Sequence, residues 1–172
     1  MQKYADVKSC IAGSDDLFKY RITEILLIST EYDAYVLEED GQLAERIYHQ
    51  FSGLSIPYIP RLHWCTNQER ALEILACTDI HLVISMSRTD DVATFSIEES
   101  INELYPDIPI VMLSYDRLTP ECIRNIRNTT SINRAFHWAG DSKLLLAIIK
   151  YVEDMQNFPT DSKLGVQAIL LV

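Results

Sequence analysis

The sequence predicts an α/β fold of the doubly wound kind, and three observations predict it. Five short apolar runs, Glu24 to Ser29, Tyr58 to Cys65, His81 to Met86, Pro109 to Ser114 and Asn133 to Trp138, are each bounded by polar or turn residues. Each is followed by a stretch with helical periodicity, and four of the five are nearly continuous in hydrophobicity instead of alternating. Continuous apolar strands suit a parallel sheet covered on both faces, and strands separated by helices imply right-handed crossovers. About five strands is flavodoxin-like in size, and 172 residues make one ordinary domain with a few dozen residues to spare.

Taken in order, Met1 to Tyr20 has no strong period and reads as an N-terminal arm or a short helix. Glu24 to Ser29 is the first strand. Gln42 to Phe51 then places Leu43, Ile47 and Phe51 on one face of an amphipathic helix. Tyr58 to Cys65 carries Pro60 and Arg61 and so reads as an edge strand, where a missing N–H donor is tolerated. Thr66 or Asn67 caps the helix bearing Ala71, Leu72, Leu75 and Ala76. After the third strand, Ser96 to Tyr105 carries Ile97, Ile101 and Leu104 and stops before Pro106. Thr119-Pro120 supplies the N-cap and first position of a helix with Cys122, Ile123 and Ile126. Asp141 caps the longest, where Leu144, Leu145, Ile148, Ile149 and Val152 form a broad apolar face.

The domain expected from these elements spans residues 21–158, followed by a linker over 159–165 within the polar phrase beginning at Asn157. The final run, residues 166–172, has the character of Thr23 to Ile28 and is read as the severed first strand of a second, similar domain.

Composition removes several function classes. Fifteen basic against 25 acidic residues give a net charge of -10, which disfavours nucleic acid and anionic membranes as partners. The longest apolar runs, Ile25 to Ile28 and Leu144 to Ile149, fall far short of the roughly 20 residues that span a bilayer. Lys3 is followed by no apolar stretch, so a cytoplasmic protein is expected. Cys10, Cys65, Cys77 and Cys122 form no CxxC pair and are expected to be reduced, mostly buried thiols. His49, His63, His81 and His137 are equally scattered, so neither a metal nor any other cofactor is expected.

In doubly wound sheets ligands bind beyond the C-terminal ends of the strands. The strand ends here are Ile25-Leu26-Leu27-Ile28-Ser29-Thr30, His81-Leu82-Val83-Ile84-Ser85-Met86, Pro109-Ile110-Val111-Met112-Leu113-Ser114 and Ala135-Phe136-His137-Trp138-Ala139-Gly140. In order and apolar frame these segments resemble the receiver domain of bacterial two-component response regulators, over about Arg21 to Asn157. The resemblance implies a sheet ordered 2-1-3-4-5. It also implies an acidic Mg²⁺-holding pair after the first strand, a phosphoaccepting aspartate ending the third, Ser or Thr ending the fourth and Lys-Pro after the fifth. Ser29 and Thr30 stand where the acidic pair belongs, Met86 where the phosphoacceptor belongs and Trp138-Ala139 where Lys-Pro belongs. Only Ser114 keeps the family's residue type.

A thioether is no nucleophile and a poor Mg²⁺ ligand, and neutral hydroxyls substitute weakly for carboxylates. The resemblance is therefore to a degenerate pseudo-receiver, with Ser29, Thr30, Met86, Ser114 and Trp138 lining a pocket filled by its own side chains. Displaced carboxylates follow two of the strands, as Glu31 and Asp33 and as Asp90 and Asp91, and read by default as a solvated acidic rim. The stretch Glu31 to Gly41 is longer than receivers have there. It is read as a binding loop presenting Tyr32 and Tyr35 with Glu31, Asp33, Glu38, Glu39 and Asp40, or as an extra helical turn. Its Leu37-Glu38-Glu39-Asp40-Gly41 phrase also resembles receiver-like domains upstream of pyruvate, phosphate dikinase type ATP/phosphoenolpyruvate-binding domains.

The function expected is a non-catalytic regulatory or interaction module of a larger protein. It would engage a protein partner or a neighbouring domain of the same chain. Receivers pair through their fourth helix, fifth strand and fifth helix, which implies a homodimer face around Arg124 to Val152. The alternatives are a small-molecule or nucleotide sensor on the same scaffold and a regulatory domain of a phosphoenolpyruvate-utilising enzyme. The first lacks a GxGxxG, a P-loop and any glycine-rich turn after the first strand. The domain itself is not expected to be an enzyme: no GxSxG elbow is present, and Cys65 and Cys77 have no identifiable base.

Overall fold

Parallel pairing of the apolar runs organises the molecule. The structure, a computed structural model, describes residues 19–33, 35, 60–87, 95–115, 119, 124, 126, 131–139 and 143–165. Its strands are β1 (Glu24–Ile28), β2 (Arg61–Cys65), β3 (Leu82–Ser87), β4 (Ile110–Ser114) and β5 (Arg134–His137). Its long helices are α1 (Gln68–Cys77), α2 (Phe95–Leu104) and α3 (Lys143–Asp161). The five strands form one sheet in the order β2-β1-β3-β4-β5, every neighbouring pair parallel. This is the expected doubly wound, flavodoxin-like order. The helix read at Gln42 to Phe51, the caps at Pro120 and Asp141 and the run 166–172 lie outside the described residues.

The chain divides into two units, one of residues 22–146 and one of residues 1–21 with 147–172. The larger unit holds the whole sheet. Its central strands are buried on both sides: Leu82, Val83, Ile84 and Met86 of β3 and all of β4 are at most 6% exposed. That explains the unbroken apolar runs, because alternation appears only when one face is wet. On one face Leu26, Ile28, Cys65, Val83 and Ile110 pack with Ala71, Leu75 and Ile101 of α1 and α2. Asn67 caps α1 as read, its side chain accepting the Arg70 N–H at 2.9 Å.

The edge position of β2 leaves only Cys65 of its five residues buried. At the far end of the sheet from the candidate site, the His63 ring N–H donates to Glu24 across the β1–β2 seam at 2.6 Å. Asn133 starts the β4–β5 ladder, donating its N–H to the Ile110 carbonyl at 2.9 Å and accepting the Ile110 N–H on its side chain at 2.7 Å.

Three details depart from the sequence reading. Leu104, counted on the α2 stripe, is 63% exposed, because the buried face is centred on Ile101 and turns toward Glu98 and Tyr105. Cys77 is exposed, since in the last turn of α1 it lies off the stripe of Ala71 and Leu75. The phrase from Asn157, read as the start of a linker, is helical through Asp161 and continues as a 3-10 turn, Ser162–Leu164.

That last departure has a cause in the smaller unit. Glu153, Asn157 and Asp161 recur every four residues and are buried. Asn157 accepts the Tyr20 N–H at 2.8 Å and donates to the carbonyls of Tyr20 and Glu153 at 2.9 and 2.8 Å. Glu153 is paired with Lys150 at 2.7 Å and Arg21 at 3.7 Å. Satisfied buried polar groups hold this end of the helix, with Pro159 accommodated in its last turn.

Candidate functional site

The C-terminal ends of the strands carry the residues singled out by the sequence. Ser29 follows β1 and is 4% exposed. Its N–H donates to the Cys65 carbonyl at 3.1 Å, and its hydroxyl accepts the Trp64 indole N–H at 2.8 Å. Thr30 caps a short helical segment in which residues 31–33 and 35 are helical. Its hydroxyl accepts the Asp33 N–H at 3.1 Å, as an N-cap does, and donates to the Asp33 carboxylate at 2.7 Å. Both hydroxyls at the end of β1 are thus engaged locally.

Met86 lies one residue before the end of β3 and is 6% exposed. The β1–β3 register reaches Ile28 opposite Ser85, so the next residues in line are Ser29 and Met86. Met86 is paired with Leu113, and Leu113 with Phe136. Alternation along a strand puts Ser29, Met86, Leu113 and Phe136 on one face of the sheet. Ser114, fully buried and in register with Ser87 and His137, belongs to the other face. Trp138 follows β5, is 6% exposed, and donates its N–H to the Ser114 carbonyl at 2.7 Å.

The fold therefore brings Ser29 and Met86 to neighbouring positions, places Ser114 on the opposite face and ties Trp138 to it through the backbone. Among the loop residues, Glu31, Tyr32 and Tyr35 are exposed. Asp33 is instead 4% exposed and committed to the Thr30 cap, which corrects its reading as part of a solvated acidic rim. Glu38, Glu39, Asp40, Asp90 and Asp91 lie outside the described residues. Among the described residues no group of three His, Cys, Asp or Glu side chains is placed to hold a metal ion.

One titratable group near these positions was not signalled as functional. Glu98 of α2 is 1% exposed and accepts the Ser85 hydroxyl on Oε1, while its Oε2 has no hydrogen-bond partner among the described residues. Burial raises its carboxyl above the ordinary range; the Ser85 hydrogen bond and the residue's own backbone N–H oppose the rise, and the charge of Glu99 adds to it. Ser85 adjoins Met86 in the chain but faces the other side of β3, with Val83 and Met112. Helical spacing carries the signal for Glu98, which shares a face with Ile101 and Tyr105. Trp64 was also missed. It meets Ser29 across two strands, and no local spacing encodes that contact.

No family model matches the chain, and no curated protein matches it. Solved structures do. The chain is similar to the signal receiver domain of an HD domain-containing protein from Pseudomonas fluorescens Pf-5, with TM-score 0.58 and 22% identity over 83% of this chain and 94% of that one. It is similar to a CheY-like response regulator receiver domain protein from Methanospirillum hungatei JF-1, with TM-score 0.57 and 16% identity over 78% and 96%. A response regulator from Thermotoga maritima, solved in complex with Mg²⁺ and BeF, matches with TM-score 0.53 and 14% identity over 76% and 99%. Sheet order and these likenesses agree: the chain has the fold of the response-regulator receiver domains.

Proposed function

We propose that this chain is a pseudo-receiver: a non-catalytic signalling domain that regulates through protein contact and accepts no phosphoryl group at the end of its third strand. The observation that carries the reading is Met86, buried at that strand end beside Ser29. Aspartyl phosphorylation needs a carboxylate nucleophile, a divalent cation on hard oxygen ligands and a cation to neutralise the transferred oxygens. A thioether supplies none of these. The hydroxyls of Ser29 and Thr30, engaged with Trp64 and Asp33, are poor replacements for a carboxylate pair.

The domain then works in the cytoplasm without a cofactor, through its surfaces. Arg124, Arg134 and Lys143 are exposed in the larger unit, on the stretch where receivers pair. Such a face suits a specific protein partner, a neighbouring domain of a longer chain or a second copy. Exposed Tyr32 and Tyr35 give the end of β1 a second contact surface of amphipathic rings.

The test is incubation of the purified chain with acetyl phosphate and Mg²⁺, read by intact mass. The expected result is an unchanged mass under conditions that phosphorylate an intact receiver in parallel. A mass gain of one phosphoryl group, mapped by peptide sequencing to the strand ends, would contradict the proposal.

A further inference from the structure

Glu98 is the buried acid that the proposed function leaves unused. It sits in the first turns of α2 at 1% exposure, with one carboxyl oxygen held by the Ser85 hydroxyl and the other without a hydrogen-bond partner among the described residues. An ionised carboxylate at 1% exposure would carry a buried charge with half its acceptor capacity unfilled by the described residues. The neutral acid avoids burying that charge, at smaller cost.

The surroundings supply little compensation. On the packed face, β1, β3 and β4 contribute Leu26, Ile28, Val83, Ser85, Ile110 and Met112, none of them charged. The described titratable groups on the packed elements are Glu24 of β1, Arg61, His63 and Cys65 of β2, Glu69, Arg70, Glu73 and Cys77 of α1, and Glu99, Glu103 and Tyr105 on or just after α2. Cys65 is a buried thiol pushed up to about 11, chiefly by burial. Arg61 and Arg70 are at the surface, paired with Glu24 at 3.8 Å and with Glu73 at 2.7 Å, and His63 is bonded to Glu24 at 2.6 Å. Glu99 adds negative charge against ionisation.

We propose that Ser85 and Glu98 form a proton-dependent latch that holds α2 on β3 while the carboxyl is protonated and releases the helix when the proton passes to solvent. The first turns of α2 thereby become sensitive to pH, whatever partner the domain serves. The direction is fixed by linkage. The folded chain holds this proton more tightly than the unfolded chain, so the stabilisation is complete below the ordinary glutamate range. It is lost as pH rises through the higher folded-state value.

The experiment is backbone hydrogen exchange of the full chain at about pH 5 and pH 8, corrected for intrinsic chemistry, on the wild type and Glu98→Gln. Protection over 95–104 is expected to fall about ten-fold for each pH unit over which the latch ionises, and to stay level in Glu98→Gln. Equal pH dependence in both proteins, or none in the wild type, would overturn the latch. Carboxyl NMR of the wild type gives a reading that needs no variant. Glu98 is expected to titrate above the ordinary glutamate range, and titration within that range would overturn the proposal.

Discussion

Ser85 and Met86 are consecutive on β3 and face opposite sides of the sheet, and the two sides have been given opposite chemistry. Met86 is in line with Ser29, Leu113 and Phe136, none of them a carboxylate. Ser85 engages Glu98, a carboxyl with almost no exposure. Both positions are dry, yet the buried acid engaged here belongs to the Ser85 side, and it answers to a helix and not to the mouth of the sheet. Sequence neighbours thus report on different sites, because alternation sends them to different layers. A carboxyl near the expected pocket in sequence is consequently no substitute for one inside it.

The comparison can be broken most severely by moving the acid. Met86→Asp places a carboxylate at 6% exposure beside uncharged neighbours, and is expected to destabilise the fold by about 3–5 kcal/mol in urea unfolding. A loss below about 1 kcal/mol would mean that the Met86 side holds cationic compensation. Glu98→Gln acts in the other direction. It is expected to match the wild type near pH 4 and to exceed it progressively as pH rises, by up to about 1.4 kcal/mol for each pH unit between the ordinary glutamate range and the folded-state value. Denaturant midpoints across that range check it.

Smaller effects sharpen the contrast. Trp64→Phe removes the indole donor to Ser29 at the half-exposed edge and is expected to cost about 1 kcal/mol, measured by the same unfolding curves. Arg70→Gln breaks a surface pair whose members are both more than half exposed, and is expected to change stability by less than about 0.5 kcal/mol. At pH 8 iodoacetamide is expected to modify Cys77 and spare Cys65, whose thiol is buried and pushed up to about 11.

How much of this was legible depends on the kind of interaction. β1, β3 and β4 could be read because a strand buried on both sides leaves an unbroken apolar run, and β2 announced its edge through Pro60 and Arg61. The end of α3 could not be read in the same way. Glu153, Asn157 and Asp161 look like a solvated face, and only their hydrogen bonds and ion pairs make them a buried one.

The site divides along the same line. Met86 and Ser29 were recognisable by position alone, since a strand end needs no partner to be located. Thr30 and Asp33 carry a legible capping spacing, but charge drew Asp33 into the reading of an acidic rim. Trp64 with Ser29, and Ser85 with Glu98, are contacts across 35 and 13 residues, and only the assembled sheet brings them together.

The central claim is that the strand-end pocket holds neither a phosphoacceptor nor its metal. Titration of the isotopically labelled chain with Mg²⁺ and fluoroberyllate, followed by backbone amide NMR, tests it most directly. The account predicts no saturable shift at residues 29–33, 86–87, 114 or 138; saturable shifts converging on those residues would contradict it.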